Sequence, residues 1–101
     1  MTEAPSITQT APDHFAVRGP LTFATARRAL TGGLEAFASS PGPIEVDCSG
    51  IAASDSAGLA VLIEWLGWAR RARRELRYAS VPATLGAIAR ISEMDGLLFG
   101  R

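Results

Sequence analysis

The chain predicts an α/β fold: a mixed sheet of four to five strands with three main helices, in the order β-β-α-β-α-β-α-(β). Segments of alternating polarity, such as His14–Arg18 and Ile44–Cys48, are separated by stretches whose apolar residues recur at helical spacing. Strands that alternate with helices imply parallel neighbours joined by right-handed crossovers. The length of 101 residues suits one core, so residues 1–101 are read as a single domain whose first five residues fray. Hydrophobic residues make up 48% of the chain, which places it among globular rather than disordered sequences.

Taken in order, Ser6–Thr10 reads as a short edge strand between Pro5 and Pro12. His14–Arg18 places Phe15 and Val17 on one face, a strand paired to the first and ended by Gly19–Pro20. Thr22 is a candidate N-cap for a helix over Phe23–Ala38, in which Phe23, Ala26, Leu30, Leu34 and Phe37 face inward. Gly32–Gly33 weakens that helix by on the order of 1 kcal/mol per glycine and marks a kink or close-packing point. Ile44–Cys48 is a strand with Ile44, Val46 and Cys48 on one face. Gly50–Ile51 then turns the chain into a second helix, Ala57–Arg74. Glu75–Ala79 is a further interior strand, and Pro82 suits the first turn of a helix over Ala83–Ile91. Leu97–Phe99 is a last short strand or an apolar tail.

Composition removes several classes of function. The chain has no lysine, so neither a phosphate-loop lysine nor a Schiff base is available. One histidine, His14, and one cysteine, Cys48, cannot furnish an ordinary zinc site, and no cofactor or metal is expected. A serine triad would have to use His14 without any nucleophile-elbow sequence to meet it. Cys48 is expected as a small buried hydrophobe. No apolar run reaches the ~18 residues of a membrane span, and the first ten residues lack the basic start and apolar stretch of a signal peptide. With a single cysteine, these features point to the cytoplasm.

Charge is unevenly spread. Residues 1–69 carry three arginines against seven acids, whereas residues 70–77, RRARRELR, carry five arginines against one glutamate. A neutral chain without interleaved aromatics argues against nucleic acid. The arginine run reads first as a helix end complementing its own carbonyls, with an acidic partner or lipid phosphates left open.

The densest signals lie in Ile44–Trp68. Ser54, Asp55 and Ser56 can each cap the second helix, and Asp55 suits the positive end of its dipole. At 100° per residue, Leu59, Leu62, Ile63 and Leu66 form the stripe that buries against the sheet. Ala57, Val61, Trp65, Trp68 and Ala72 lie opposite, with Glu64 beside them. A domain this small covers one such face, so the two tryptophans are expected on an exposed apolar patch suited to a partner, or to a second copy in a homodimer. The alternative is that the first helix or the C-terminal tail folds over them.

The run VDCSGIAASDSAGLAVLIEWLGWAR resembles the signature of STAS domains: a strand ending Asp-x-Ser-x-hydrophobic, then Asp-Ser/Thr-x-Gly-Leu, then an amphipathic helix. Asp47, Ser49, Ile51, Asp55, Ser56, Gly58 and Leu59 fill that pattern. The resemblance implies a STAS-like fold over roughly residues 5–100 and a non-catalytic protein-interaction role. Two branches follow from it. Anti-sigma-factor antagonists, which engage an anti-sigma factor or kinase, carry a phosphorylated serine directly before the glycine, and this chain has Ala57 there. MlaB-like subunits of Mla phospholipid-transport ABC systems carry the hydroxyl one place earlier, where this chain has Ser56. The resemblance therefore implies docking on the transporter ATPase through Ser54, Asp55, Ser56, Ala57, Val61, Glu64, Trp65 and Trp68. Ser56 also remains a candidate phosphorylation site. Membrane association would then come only through the transporter complex, at the cytoplasmic side of the inner membrane.

Overall fold

The computed structural model describes residues 4–100. Eight elements follow one another: β1 (Ser6–Ala11), β2 (His14–Leu21), α1 (Ala26–Ala38), β3 (Ile44–Ser54), α2 (Ser56–Arg71), β4 (Leu76–Ala79), α3 (Ala83–Ile91) and α4 (Asp95–Phe99). Of the residues expected to fray, 1–3 lie outside the described range, while Ala4 and Pro5 precede β1.

Among the described residues the sheet has four strands, in the order β1-β2-β3-β4. β1 runs antiparallel to β2, and β2, β3 and β4 run parallel, so α1 and α2 are the crossovers. Two expected turns are absent. Gly19–Pro20 does not end β2: Gly19 takes φ 94° opposite Ile51, and the ladder shifts there and resumes at Leu21 opposite Ser54. Glycine admits the left-handed region and the shift makes room for a proline that cannot donate, which produces an irregularity instead of a stop. Likewise β3 continues through Gly50–Ile51, because Arg18 and Gly19 of β2 pair with those residues. A side chain at position 50 would press on the Val17 carbonyl, so glycine is what lets the strands approach.

Alternation along the strands decides the two faces of the sheet. Phe15, Val17, Ile44, Val46, Cys48 and Leu76 are buried, whereas His14, Arg18, Asp47, Ser49 and Arg77 are exposed. Phe37 of α1 joins the core, with its ring edge-on to Phe15 at 5.2 Å and to Trp65 at 5.4 Å. Buried aromatics of this size each contribute about 1.5–3 kcal/mol through area removed from water, before the edge-to-face term.

The C-terminal expectation needs correction. Leu97–Phe99 forms no strand: it belongs to α4, whose backbone bonds are internal, Leu98 N–H to Met94 O and Gly100 N–H to Gly96 O. Phe99 packs edge-on against Tyr78, with centroids 6.2 Å apart, so the segment reaches β4 through a side chain and leaves the sheet at four strands.

Candidate functional site

β2 and β3 are parallel, so their carboxyl ends lie together, with Leu21 opposite Ser54. Asp55 follows immediately in extended backbone as the N-cap of α2. Its Oδ1 accepts from Ala57 N–H at 2.9 Å and Gly58 N–H at 3.2 Å, satisfying two of the helix's free donors. Its Oδ2 accepts from Phe23 N–H at 3.1 Å, 32 residues away. One carboxylate thus starts the helix and ties it to the β2–α1 loop. The fit is close, since a side chain at Gly58 would collide with the Leu21 carbonyl.

That loop owes its shape to Thr25. The Thr25 side chain is 1% exposed; its hydroxyl accepts from Thr22 N–H at 3.0 Å and lies 2.9 Å from the Pro20 carbonyl, to which it donates. Residues 22–25 are therefore a turn, and α1 begins at Ala26 with Thr25 as N-cap, not Thr22. The consequence reverses an expectation: Phe23, placed on the inner face of a longer helix, stands in the turn at 84% exposure. The signal available in the sequence was the pair Thr22 and Thr25, each able to cap. Choosing the second leaves Phe23 outside the helix.

The tryptophan face is corrected in the opposite direction. Val61 and Trp65 are buried, at 3% and 0% exposure, because α1 lies over them. Gly33 makes the approach possible, since any side chain there would occupy the Trp65 indole. Trp65 Nε1–H donates to the Leu30 carbonyl at 3.2 Å, so the buried polar edge is satisfied. Trp68 is half-buried, 6.1 Å from the Phe37 ring and with the Arg74 guanidinium 5.5 Å from its own ring centroid. The close-packing reading of Gly32–Gly33 thus holds at Gly33. The exposed patch attributed to Val61 and Trp65 does not exist.

What the first part of α2 does expose is a narrow stripe of Ser56, Ala60 and Glu64, four residues apart and hence on one side of the helix. Ser54, Asp55 and Ala57 are half-buried beside it, and Ala52 and Ala53 at the end of β3 are exposed. Phe23 and Ser56 are therefore held at the same end of the molecule by the Asp55 bridge. Composition gave no hint of this pairing.

The chemistry available here is hydrogen bonding and apolar contact. His14 begins β2, at the opposite end of the strand, with Nε2 3.4 Å from Glu45, so it cannot serve Ser54 or Ser56. Burial pushes the Cys48 thiol up to about 12, with Asp47 adding to the effect, so it stays protonated and unreactive. The Asp47 carboxyl is held below its usual value by hydrogen bonds from Ser49, whose backbone N–H lies 2.9 Å from Oδ1. Among the described residues no group of three or more His, Cys, Asp and Glu could hold a metal ion, and no helix is long and apolar enough to cross a membrane. Part of the arginine run is structural: Arg74 donates to the carbonyls of Phe37 at 2.6 Å and Gly42 at 2.8 Å, bolting the end of α2 to that of α1.

A four-stranded mixed sheet with this element order, and a capped helix opening after the long third strand, is the arrangement of a STAS domain. The chain belongs to the family described as "Mlab, STAS domain", whose profile matches residues 8–99. Among solved structures, a sulfate transporter family protein from Wolinella succinogenes superposes with a TM-score of 0.69 at 18% identity, over 94% of this chain and 77% of that one. The murine Slc26a9 anion transporter in its inward-facing state superposes with a TM-score of 0.62 at 15% identity, over 86% of this chain and 14% of that one. At such identities the likeness is one of fold. Comparison with curated protein sequences gives no significant match.

Proposed function

We propose that this chain is a non-catalytic protein-interaction module that docks on the ATPase of a Mla-type phospholipid-transport ABC system and supports its activity. The observation that carries the reading is the Asp55 bridge, which presents an exposed aromatic, Phe23, beside an exposed hydroxyl, Ser56. An aromatic at 84% exposure offers a large apolar area for a partner to bury, and aromatics are enriched at the cores of protein interfaces. Phe23 fills an apolar pocket of the partner, Ser56 exchanges a hydrogen bond across the interface, and Ala60 lets the partner backbone approach. Glu64 stands at the rim. Ser54 and Ala57 complete the edge, while Val61, Trp65 and Trp68 support it from beneath. The family description favours this branch, and the occurrence of the fold in transporter proteins agrees with it. Docking of this kind places the chain on the cytoplasmic side of the inner membrane through its partner, without nucleic acid.

Co-purification with the candidate ATPase tests the reading. Phe23→Ala and Ser56→Asp should each reduce recovery while leaving the circular dichroism spectrum unchanged, and recovery equal to wild type for both would overturn it. A second reading, an anti-sigma-factor antagonist, draws on the exposure of Ser56 at a helix N-terminus, where a phosphate is electrostatically favoured. Incubation with a candidate anti-sigma kinase and ATP would then add about 80 Da, the mass of one phosphate, and Ser56→Ala would abolish the gain.

A further inference from the structure

We propose that the open edge of β4 is a second docking site, one that takes an extended acidic segment of a partner protein as a fifth strand. The backbone supplies the first argument. The Glu75 carbonyl accepts from Ile44 N–H at 2.9 Å, and Ile44 pairs with Leu76 and Val46 with Tyr78 in the parallel ladder. Successive residues of a strand direct their N–H and C=O groups to opposite sides. Arg77 therefore bonds toward β3, while Leu76 and Tyr78 present theirs outward, over a strand of four residues spanning ~13 Å. The segment that could have covered them, Leu97–Phe99, is helical and keeps its backbone bonds to itself.

The second argument is the space beside that edge. A groove of about 730 Å³ runs along Glu75–Tyr78, between α4 and the end of α2. Arg70, Arg74 and Arg77 stand around it against a single acid, Glu75. Arg74 is spent on the Phe37 and Gly42 carbonyls and shapes the wall, whereas Arg70 and Arg77 are exposed, Arg77 only in a loose, solvent-screened 3.7 Å pair with Glu45. A short edge strand bearing a charge is a common protection against unwanted pairing, and an isolated four-residue edge would carry no further meaning. Here the charge borders a groove with an apolar wall from Leu66 and Leu98. That combination selects one kind of strand: acidic residues toward the arginines, apolar ones toward the wall, and main-chain bonds to Leu76 and Tyr78.

The same arginines could attract a lipid phosphate, but an acyl chain laid along this edge would strip water from the free N–H and C=O groups of Leu76 and Tyr78 without replacing their hydrogen bonds. A peptide strand replaces them. This surface is distinct from the Ser56 edge, so either proposal can fail alone.

The test is titration of the ¹⁵N-labelled chain with the acetylated, amidated peptide Val-Glu-Val-Glu-Val-Glu, followed by amide shifts and hydrogen exchange. The Leu76 and Tyr78 amides should shift and their exchange slow. The double variant Arg70→Glu/Arg77→Glu, altered only at exposed positions, should weaken binding about tenfold, as expected for reversing two surface charges, while Arg27→Glu on α1 should not. The N-methylated peptide should not bind. Absence of shifts up to the solubility limit would overturn the proposal. So would equal binding of the N-methylated peptide, or dodecyl phosphate binding in the groove where the peptide does not.

Discussion

Trp65 and Phe23 are both large aromatics close to helix α2, and their surroundings could hardly differ more. Trp65 is fully buried: a glycine, Gly33, was required opposite it, and its ring nitrogen is satisfied by the Leu30 carbonyl. Phe23 stands in the β2–α1 turn, fixed through its backbone N–H while its ring stays in water. The difference separates a contact that holds the fold from a surface that does not. The α1–α2 contact is closed to any partner, whereas the Asp55–Phe23 corner adds little to the core and, in the function proposed above, is the part a partner touches.

Trp65→Ala sets the upper end of that contrast. Removing the indole should cost about 3–5 kcal/mol, a core truncation that leaves a cavity between α1 and α2, measured as a lowered urea midpoint. Phe23→Ala should change stability by less than about 0.5 kcal/mol, because the ring contacts mainly solvent. A loss from Phe23→Ala comparable to that from Trp65→Ala would erase the contrast. Trp65→Ala is for the same reason unsuitable as a docking probe, since any effect on binding would follow from unfolding.

Gly58→Ala comes next. The added methyl meets the Leu21 carbonyl, which cannot yield as a flexible side chain would, so the start of α2 must shift away from β2. A destabilisation of about 1–3 kcal/mol is expected, together with weakened partner recovery because Ser56 moves with the helix.

The alkaline limb of the stability curve probes the core independently. Cys48 is raised from 9.0 to about 12 by burial, so the folded protein keeps a proton that the unfolded chain releases. Stability from this group is complete below pH 9 and is lost as pH rises toward 12, by at most about 1.4 kcal/mol per pH unit. Tyr78, also raised by burial and to a lesser extent by Cys48, acts in the same direction above pH 10. Cys48→Ala should flatten the part of the decline that begins near pH 9. An unchanged decline there would show that Cys48 is not the group responsible.

The finest distinction concerns Asp55. Asp55→Ala removes both the cap and the bridge, and thermal melting should show a loss of about 1 kcal/mol. Asp55→Ser keeps an N-cap but not the second carboxylate oxygen that reaches Phe23. It should recover most of the stability and little of the docking. Full recovery of docking by the serine would mean that the bridge to Phe23 does not matter.

The site was legible where its chemistry is local and hidden where it depends on a neighbour. Ser54, Asp55 and Ser56 could be read as a capped helix start because capping needs only residues a few positions apart. The choice between Thr22 and Thr25 is not of that kind: both threonines can cap, and only the buried contact of Thr25 with Pro20 decides between them. Val61 and Trp65 looked exposed because a helical wheel shows which residues share a face and says nothing about what covers it. The groove beside β4 was invisible because it depends on α4 being a helix, which five residues of local sequence do not determine.

Periodicity, turn residues and the spacing around Asp55 by themselves determined the class of fold, the order of its main elements and the position of the polar loop, since each follows from interactions within one segment. Tertiary structure decided which side of α2 is covered, which aromatic faces water, and how many strands the sheet has. Those outcomes turn on a missing side chain at Gly33, a buried hydroxyl at Thr25 and the packing of Phe99 on Tyr78. Each is a contact between segments far apart in the chain, where a few ångströms of fit outweigh any local preference.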